Sequence, residues 1–117
     1  MTIRVFKTAY FAKAAKKAKI EDDELAKAIV EVINGQAVAL GNGVYKKRLN
    51  KNKHRSIILA KDGEYWIYQY LFAKKDRDNI TEEELRYFKN LASDYARSLK
   101  NRLDELLTDK ELVEVFL

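Results

Sequence analysis

Hydrophobic positions change period several times along the chain. Between Thr2 and Lys7, Ile3 and Val5 alternate with Arg4 and Phe6, which predicts a short strand. The period then lengthens. Phe11, Ala14, Ala15 and Ala18 share one face of a helix over about residues 9–18, with Thr8 placed to cap it and the lysines mostly opposite. Leu25, Ala28, Ile29, Val32 and Ile33 form a second stripe, opened by Asp22 or Asp23 where carboxylates favour the helix dipole. Gly35, after Asn34, suits a left-handed stop. The few residues between the two stripes predict an antiparallel helical hairpin.

Residues 36–43, QAVALGNG, read as a loop. Strands are expected over 44–49, 53–61 and 64–73, and Asp62-Gly63 is a two-residue hairpin signal between the last two. A tight turn there sets Arg55 opposite Tyr70, Ile57 opposite Tyr68 and Leu59 opposite Trp66. It puts Arg55 on the aromatic side of the sheet and His54 on the other. Thr81-Glu82-Glu83-Glu84 has the form of a capping box. The helix behind it carries Leu85, Phe88, Ala92, Tyr95, Leu99, Leu103 and Leu106 and should run to about Leu107, with a break near Asn101. The tail from Leu112 to Leu117 fits either a short strand or a packed end. The class is α+β in the order β-α-α-β-β-β-α. A twisted, mainly antiparallel sheet carries a helical hairpin on one face, with a long C-terminal helix near its edge.

Length and composition narrow this further. At 117 residues the expectation is a single domain, 1–117, with one modest core. Without cysteine there are no disulfides, thiolate metal sites or cysteine nucleophiles. No segment resembles a secretory leader or approaches the apolar length of a membrane helix, so a cytoplasmic protein with no membrane partner is expected. The net charge of +5 is unevenly placed. Five acids gather in residues 21–34, and from Thr81 onward acids outnumber bases nine to six. Between Lys46 and Lys61 there are seven Lys or Arg and no acid. A second basic cluster, Lys74, Lys75 and Arg77, follows the aromatic strand.

Fixed positive charge displayed beside tyrosines suits a phosphodiester backbone with exposed bases, making RNA the leading partner and phosphate chemistry the leading activity. Lys47, Lys74, Arg77 and Tyr70 are RNA-contact candidates, and Tyr70 has core packing as its ordinary alternative. His54, the only histidine, reads first as an exposed strand residue and second as an acid or base. Asp76 and Asp78, set among cations, are expected in local salt bridges rather than a metal site. No metal, cofactor or Gly-rich phosphate loop is expected. The lysines of the first helix read as a solvated face or as a dock for ribosomal RNA.

Element order, together with Val44-Tyr45-Lys46-Lys47-Arg48-Leu49, Arg55, the run from Phe72 to Ile80 and Glu111-Leu112-Val113-Glu114-Val115, resembles the RelE/ParE superfamily of toxins from type II toxin–antitoxin systems, in its RelE-like branch. The resemblance implies a ribosome-dependent endoribonuclease that cleaves mRNA, inhibits translation and is held inactive by a cognate antitoxin. That antitoxin should be acidic or bring an apolar helix, covering the basic sheet or displacing the last helix. By resemblance, Lys46 and Arg48 match a basic pair on one strand, Arg55 an arginine early on the next, and Lys75 a basic position after the last strand. These four are the candidate catalytic residues. Thr81 stands where many RelE-type enzymes carry an aromatic residue, leaving Tyr68 or Tyr70 to substitute. In metal-free cleavage Arg48 and Arg55 suit the phosphate oxygens, because a guanidinium forks onto two of them. Lys46 fits a proton acceptor or a phosphate clamp. A ParE-like, non-enzymatic inhibitor of DNA gyrase and an inactive RNA-binding adaptor are the alternatives.

Overall fold

The structure is a computed structural model and describes residues 2–117. Its elements are β1 (Arg4–Thr8), α1 (Ala9–Lys17), α2 (Asp22–Ile33), β2 (Val38–Gly41), β3 (Val44–Leu49), β4 (His54–Lys61), β5 (Tyr65–Ala73), α3 (Glu82–Thr108) and β6 (Leu112–Val115). They build a six-stranded sheet in the order β2-β3-β4-β5-β1-β6. β1 runs parallel to β5, and every other pairing is antiparallel. The α+β reading holds, with two strands added.

β2 lies where a loop is expected. Asn42-Gly43 turns the chain with both residues at positive φ, +52° and +79°, so that Ala39 pairs with Tyr45 and Val38 with Lys46. The turn is glycine-dependent: a Cβ on Gly43 would lie 2.6 Å from the Ala60 carbonyl oxygen. The tail resolves in favour of a strand, as β6 pairs antiparallel with β1 and Arg4 meets the Glu114 carboxylate at 2.7 and 2.9 Å.

Both faces of the sheet are covered. On one, Phe11, Ala15, Leu25, Ile29 and Val32 of the α1–α2 hairpin bury Val5, Ile58, Trp66 and Tyr68. On the other, Phe88, Ala92, Leu99, Leu103 and Leu106 of α3 bury Phe6, Val44, Ile57, Leu59 and Phe72. α3 therefore lies across the second face rather than at an edge, and it runs unbroken through Asn101. Its apolar residues recur at three and four, so a continuous stripe needs no break. The Thr81 capping box forms as expected, with the Glu84 amide donating to Thr81 Oγ1 and the Thr81 amide to the Glu84 carboxylate.

The β4–β5 register departs from the expected one in two steps. Asp62 and Gly63 do make a tight turn, with φ of +54° and +69°. However, Glu64 turns its carbonyl out to accept from the Arg4 amide, so pairing begins at Lys61 with Tyr65. A β-bulge then inserts Gln69 between Tyr68 (opposite Ile58) and Tyr70 (opposite Ile57). Arg55 consequently sits opposite Phe72, not Tyr70, and Leu59 opposite Ile67, not Trp66. The bulge also reverses the alternation. Trp66 and Tyr68 face the α1–α2 hairpin, whereas Tyr70 and Phe72 face α3.

Candidate nucleic-acid interface

Strand periodicity and the bulge together assemble the cationic face. Val44 packs toward α3 and Tyr45 toward the hairpin, so alternation directs Lys46 and Arg48 to the α3 side. Two rows cross the sheet there. Lys46 pairs with Ile57, which pairs with Tyr70; Arg48 pairs with Arg55, which pairs with Phe72. Like charges directly opposite each other are normally avoided because they repel. Here no carboxylate forms an ion pair with Lys46, Arg48 or Arg55 among the described residues.

Each of the three cations is held differently. Arg55 is only 8% exposed, and its Nη1 donates to the carbonyls of Asn52 at 3.0 Å and His54 at 3.2 Å. The first carbonyl belongs to a turn in which Asn50, Lys51 and Asn52 all take positive φ, and the second to the first residue of β4. The turn is further tied by the Asn50 amide donating to Glu24 of α2. Arg48 is exposed and makes no side-chain hydrogen bond among the described residues. The Lys46 ammonium donates to Asn79 Oδ1 at 3.2 Å.

The segment after β5 folds over this face through Arg77. Its guanidinium lies 5.5 Å above the Phe72 ring, donates to the Tyr70 hydroxyl at 3.3 Å, and forks onto both oxygens of Glu84 at 3.1 and 2.5 Å. A further bond to the Asn79 carbonyl at 3.0 Å sets the loop that presents Asn79 to Lys46. The Arg77 bond, followed by that of the Thr81 amide, holds the Glu84 carboxyl at about 2, well below the usual carboxylate range. Arg77 therefore carries compensated charge. Tyr70 is half-buried between Tyr10, Phe72 and Phe88, with ring centroids at 6.0, 5.8 and 5.8 Å.

Other sequence candidates lie elsewhere. Lys47 points to the opposite face, where it meets Glu31 at 3.1 Å and the Gln36 carbonyl at 3.0 Å. Lys74 and Lys75 are exposed and line a hollow of about 560 Å³ with His54 and Asp78, beyond the end of the two rows. His54 is half-buried rather than exposed, with Nδ1 3.2 Å from Asn50 Nδ2, which assigns it the acceptor role there; burial pushes its pKa down. Tyr68 is fully buried on the hairpin side and donates to the Leu25 carbonyl at 2.7 Å, which removes it as a substitute for the absent aromatic. Neither Asp76 nor Asp78 forms an ion pair among the described residues, because Arg77 turns instead to Glu84. No group of three or more His, Asp or Glu suited to a metal occurs among those residues. The reading of the chain missed Asn79, which has no local sequence signal. It also missed the pairing of Glu84, whose capping motif left a carboxylate free for Arg77.

A mixed sheet held between a helical hairpin and one long helix, with three cations lacking carboxylate partners on the long-helix face among the described residues, defines a small α+β protein. A family model described as the RelE toxin of the RelE / RelB toxin-antitoxin system matches residues 3–115. The chain belongs to that family: it is the toxin of a toxin–antitoxin pair, and its family implies a cognate antitoxin as partner. No curated protein and no solved structure matches it. No described helix is long and apolar enough to cross a membrane.

Proposed function

We propose that the chain, as one toxin domain over residues 1–117, is a metal-independent endoribonuclease that cleaves ribosome-bound mRNA in the cytoplasm and so inhibits translation. One observation carries this reading: Lys46, Arg48 and Arg55 share a sheet face without a carboxylate partner. Cations kept together without acids are poised for an anion. Cations spread over two neighbouring rows of the sheet match a polynucleotide better than a single small anion.

Cleavage by internal transfer needs little covalent chemistry from a protein. The 2′-oxygen loses its proton and attacks the adjacent phosphorus in line. The bond to the 5′-oxygen breaks, that oxygen takes up a proton, and a 2′,3′-cyclic phosphate remains. Negative charge builds on the non-bridging oxygens, and Arg48 and Arg55 are set to receive it. Arg55 has one nitrogen anchored on its own turn, so its guanidinium meets the phosphate already oriented. Lys46, donating to Asn79, serves as a clamp on a neighbouring oxygen, and Lys74 and Lys75 extend the positive field toward the strand ends.

Primer extension on mRNA after brief induction tests the reading. New 5′ ends should appear with the unaltered chain and vanish with Arg48→Ala. Growth arrest without new ends, accompanied by loss of DNA supercoiling activity, would instead support a gyrase inhibitor. RNA binding with no cleavage would support an adaptor.

A further inference from the structure

From the aromatic cluster and the hollow beside it, we infer that Tyr10 and Lys17 of α1 form a nucleotide subsite outside the scissile linkage, Tyr10 stacking a base and Lys17 meeting a phosphate. This rests on the RNA reading above and extends it to a helix which that reading leaves out.

Tyr10 is 57% exposed, although its ring lies nearly parallel to Tyr70, with 13° between the planes at 6.0 Å. One ring face is thus covered and the other is open. Tyr70 in turn packs at a tilt against Phe72 and Phe88, so Tyr10 is the outer ring of an aromatic cluster rather than a stray surface ring. Its backbone is fixed as well. Thr8 caps α1 by accepting from the Phe11 amide at 3.0 Å, and the Ala9 amide donates to the Glu111 carbonyl at 3.1 Å. A base laid on a ring already held in place loses less freedom on ordering.

The same helix face leads to the phosphate contact. Ala14 and Lys17 follow Tyr10 at helical spacing and line a hollow of about 510 Å³ whose far side is Tyr70, Lys75 and Arg77. The hollow has apolar walls with cations on its rim. Arg77 is neutralised by Glu84, but Lys17 and Lys75 form no ion pair among the described residues, against one rim carboxylate, Asp76. Tyr70 belongs both to this hollow and to the row containing Lys46, so the cationic face and α1 are joined through one residue. Stacking of this kind tolerates any base, because every base has a π face.

The test measures binding of two short probes by fluorescence anisotropy. One is a 2′-O-methyl oligoadenylate, which cannot be cleaved by its own 2′-oxygen. The other is an abasic oligomer of equal length. Tyr10→Ala should weaken the oligoadenylate about tenfold and leave the abasic probe unchanged. Tyr10→Leu should do the same and Tyr10→Phe should bind like the native chain, which separates the ring from mere bulk and from folding. Lys17→Ala should weaken both probes alike. Tyr87→Ala, altering an α3 tyrosine of similar exposure (59%), should change neither. The subsite is overturned if Tyr10→Ala keeps the preference for bases, or if Tyr87→Ala loses as much. Arg48→Ala distinguishes the levels. If it abolishes binding while Tyr10→Ala does nothing, the cationic face stands and the subsite alone falls. A native chain that binds neither probe takes down both.

Discussion

At the scale of single residues, what matters is whether a charge is already answered inside the chain. Arg77 and Lys47 are answered by Glu84 and Glu31; Arg48 is not. Arg48→Ala is therefore the cleanest probe of the proposed chemistry, since Arg48 is exposed and carries no fold. Losing one charge-assisted contact to the reacting phosphate should lower the cleavage rate about 10- to 100-fold, with the unfolding midpoint unchanged. Arg55→Ala is less clean, because it also frees the Asn52 and His54 carbonyls. The opposite behaviour is expected at Tyr68, whose hydroxyl only satisfies the Leu25 carbonyl. Tyr68→Phe should cost about 1 kcal/mol in a denaturant titration and leave RNA cleavage intact. Gly43→Ala should destabilise by more, about 2 kcal/mol or above, because it combines positive φ with a backbone collision.

At the scale of elements, the start of α3 and the bulge in β5 act together. The bulge turns Tyr70 toward α3, and Arg77 then spans Tyr70, Phe72 and Glu84. Deleting Gln69 would make Tyr70 the direct neighbour of Tyr68 and so keep it on the α3 face, removing the bulge without moving the tyrosine. Cleavage should then persist wherever the chain folds, and circular dichroism with an activity assay would show the two effects apart. The Glu84 pair also makes this element sensitive to acid. Its carboxyl is held at about 2 against an ordinary 4.5, so its contribution is complete above about 4.5 and is lost as pH falls toward 2. Glu84→Gln keeps the capping box but removes the charge. The native chain should exceed it in stability by about 1 kcal/mol or less at pH 6, because the side chains are about a third exposed and partly screened. That gap should narrow as pH falls toward 2, and thermal melts at pH 6 and near pH 2 measure it. His54 shifts both chains equally and drops out of the comparison.

At the scale of the molecule, the sheet has two faces with different duties. The hairpin face is a core with a paired fringe of Lys7–Asp22 and Lys47–Glu31. The α3 face is core at its centre and open cation toward the ends of β3 and β4. Binding there should be strongly electrostatic. With Lys46, Arg48 and Arg55 each meeting one phosphate of a single strand, the logarithm of affinity should fall with that of salt at a slope of about −2. Arg48→Ala should flatten the slope by about 0.7. A salt-independent affinity measured by anisotropy would contradict a phosphate-binding face.

Local order set most of the elements directly. Period two and period near 3.6 marked β1, β3 to β5 and all three helices, and Thr81 with Glu84 marked the start of α3. Family resemblance singles out Lys46, Arg48 and Arg55, and alternation along β3 and β4 accounts for the face they share, since alternation is a property of neighbours in the chain. Asn42-Gly43 was legible as a hairpin turn too, but it stood inside a stretch read as loop. Other features depended on contacts between distant residues. The bulge at Gln69 shifts register by one and leaves Tyr70 on the arginine face while Tyr68 turns to the other. The Glu64 carbonyl turns out only because β1 arrives to meet it. Asn79 reaches Lys46 only because Arg77 finds Glu84. Tyr10 becomes the end of a stack only when α1 begins beside β5. Periodicity reports which side of its own element a residue occupies, whereas register, bulges and loop closure are settled by competition among partners far apart in sequence, and only the folded chain decides that competition.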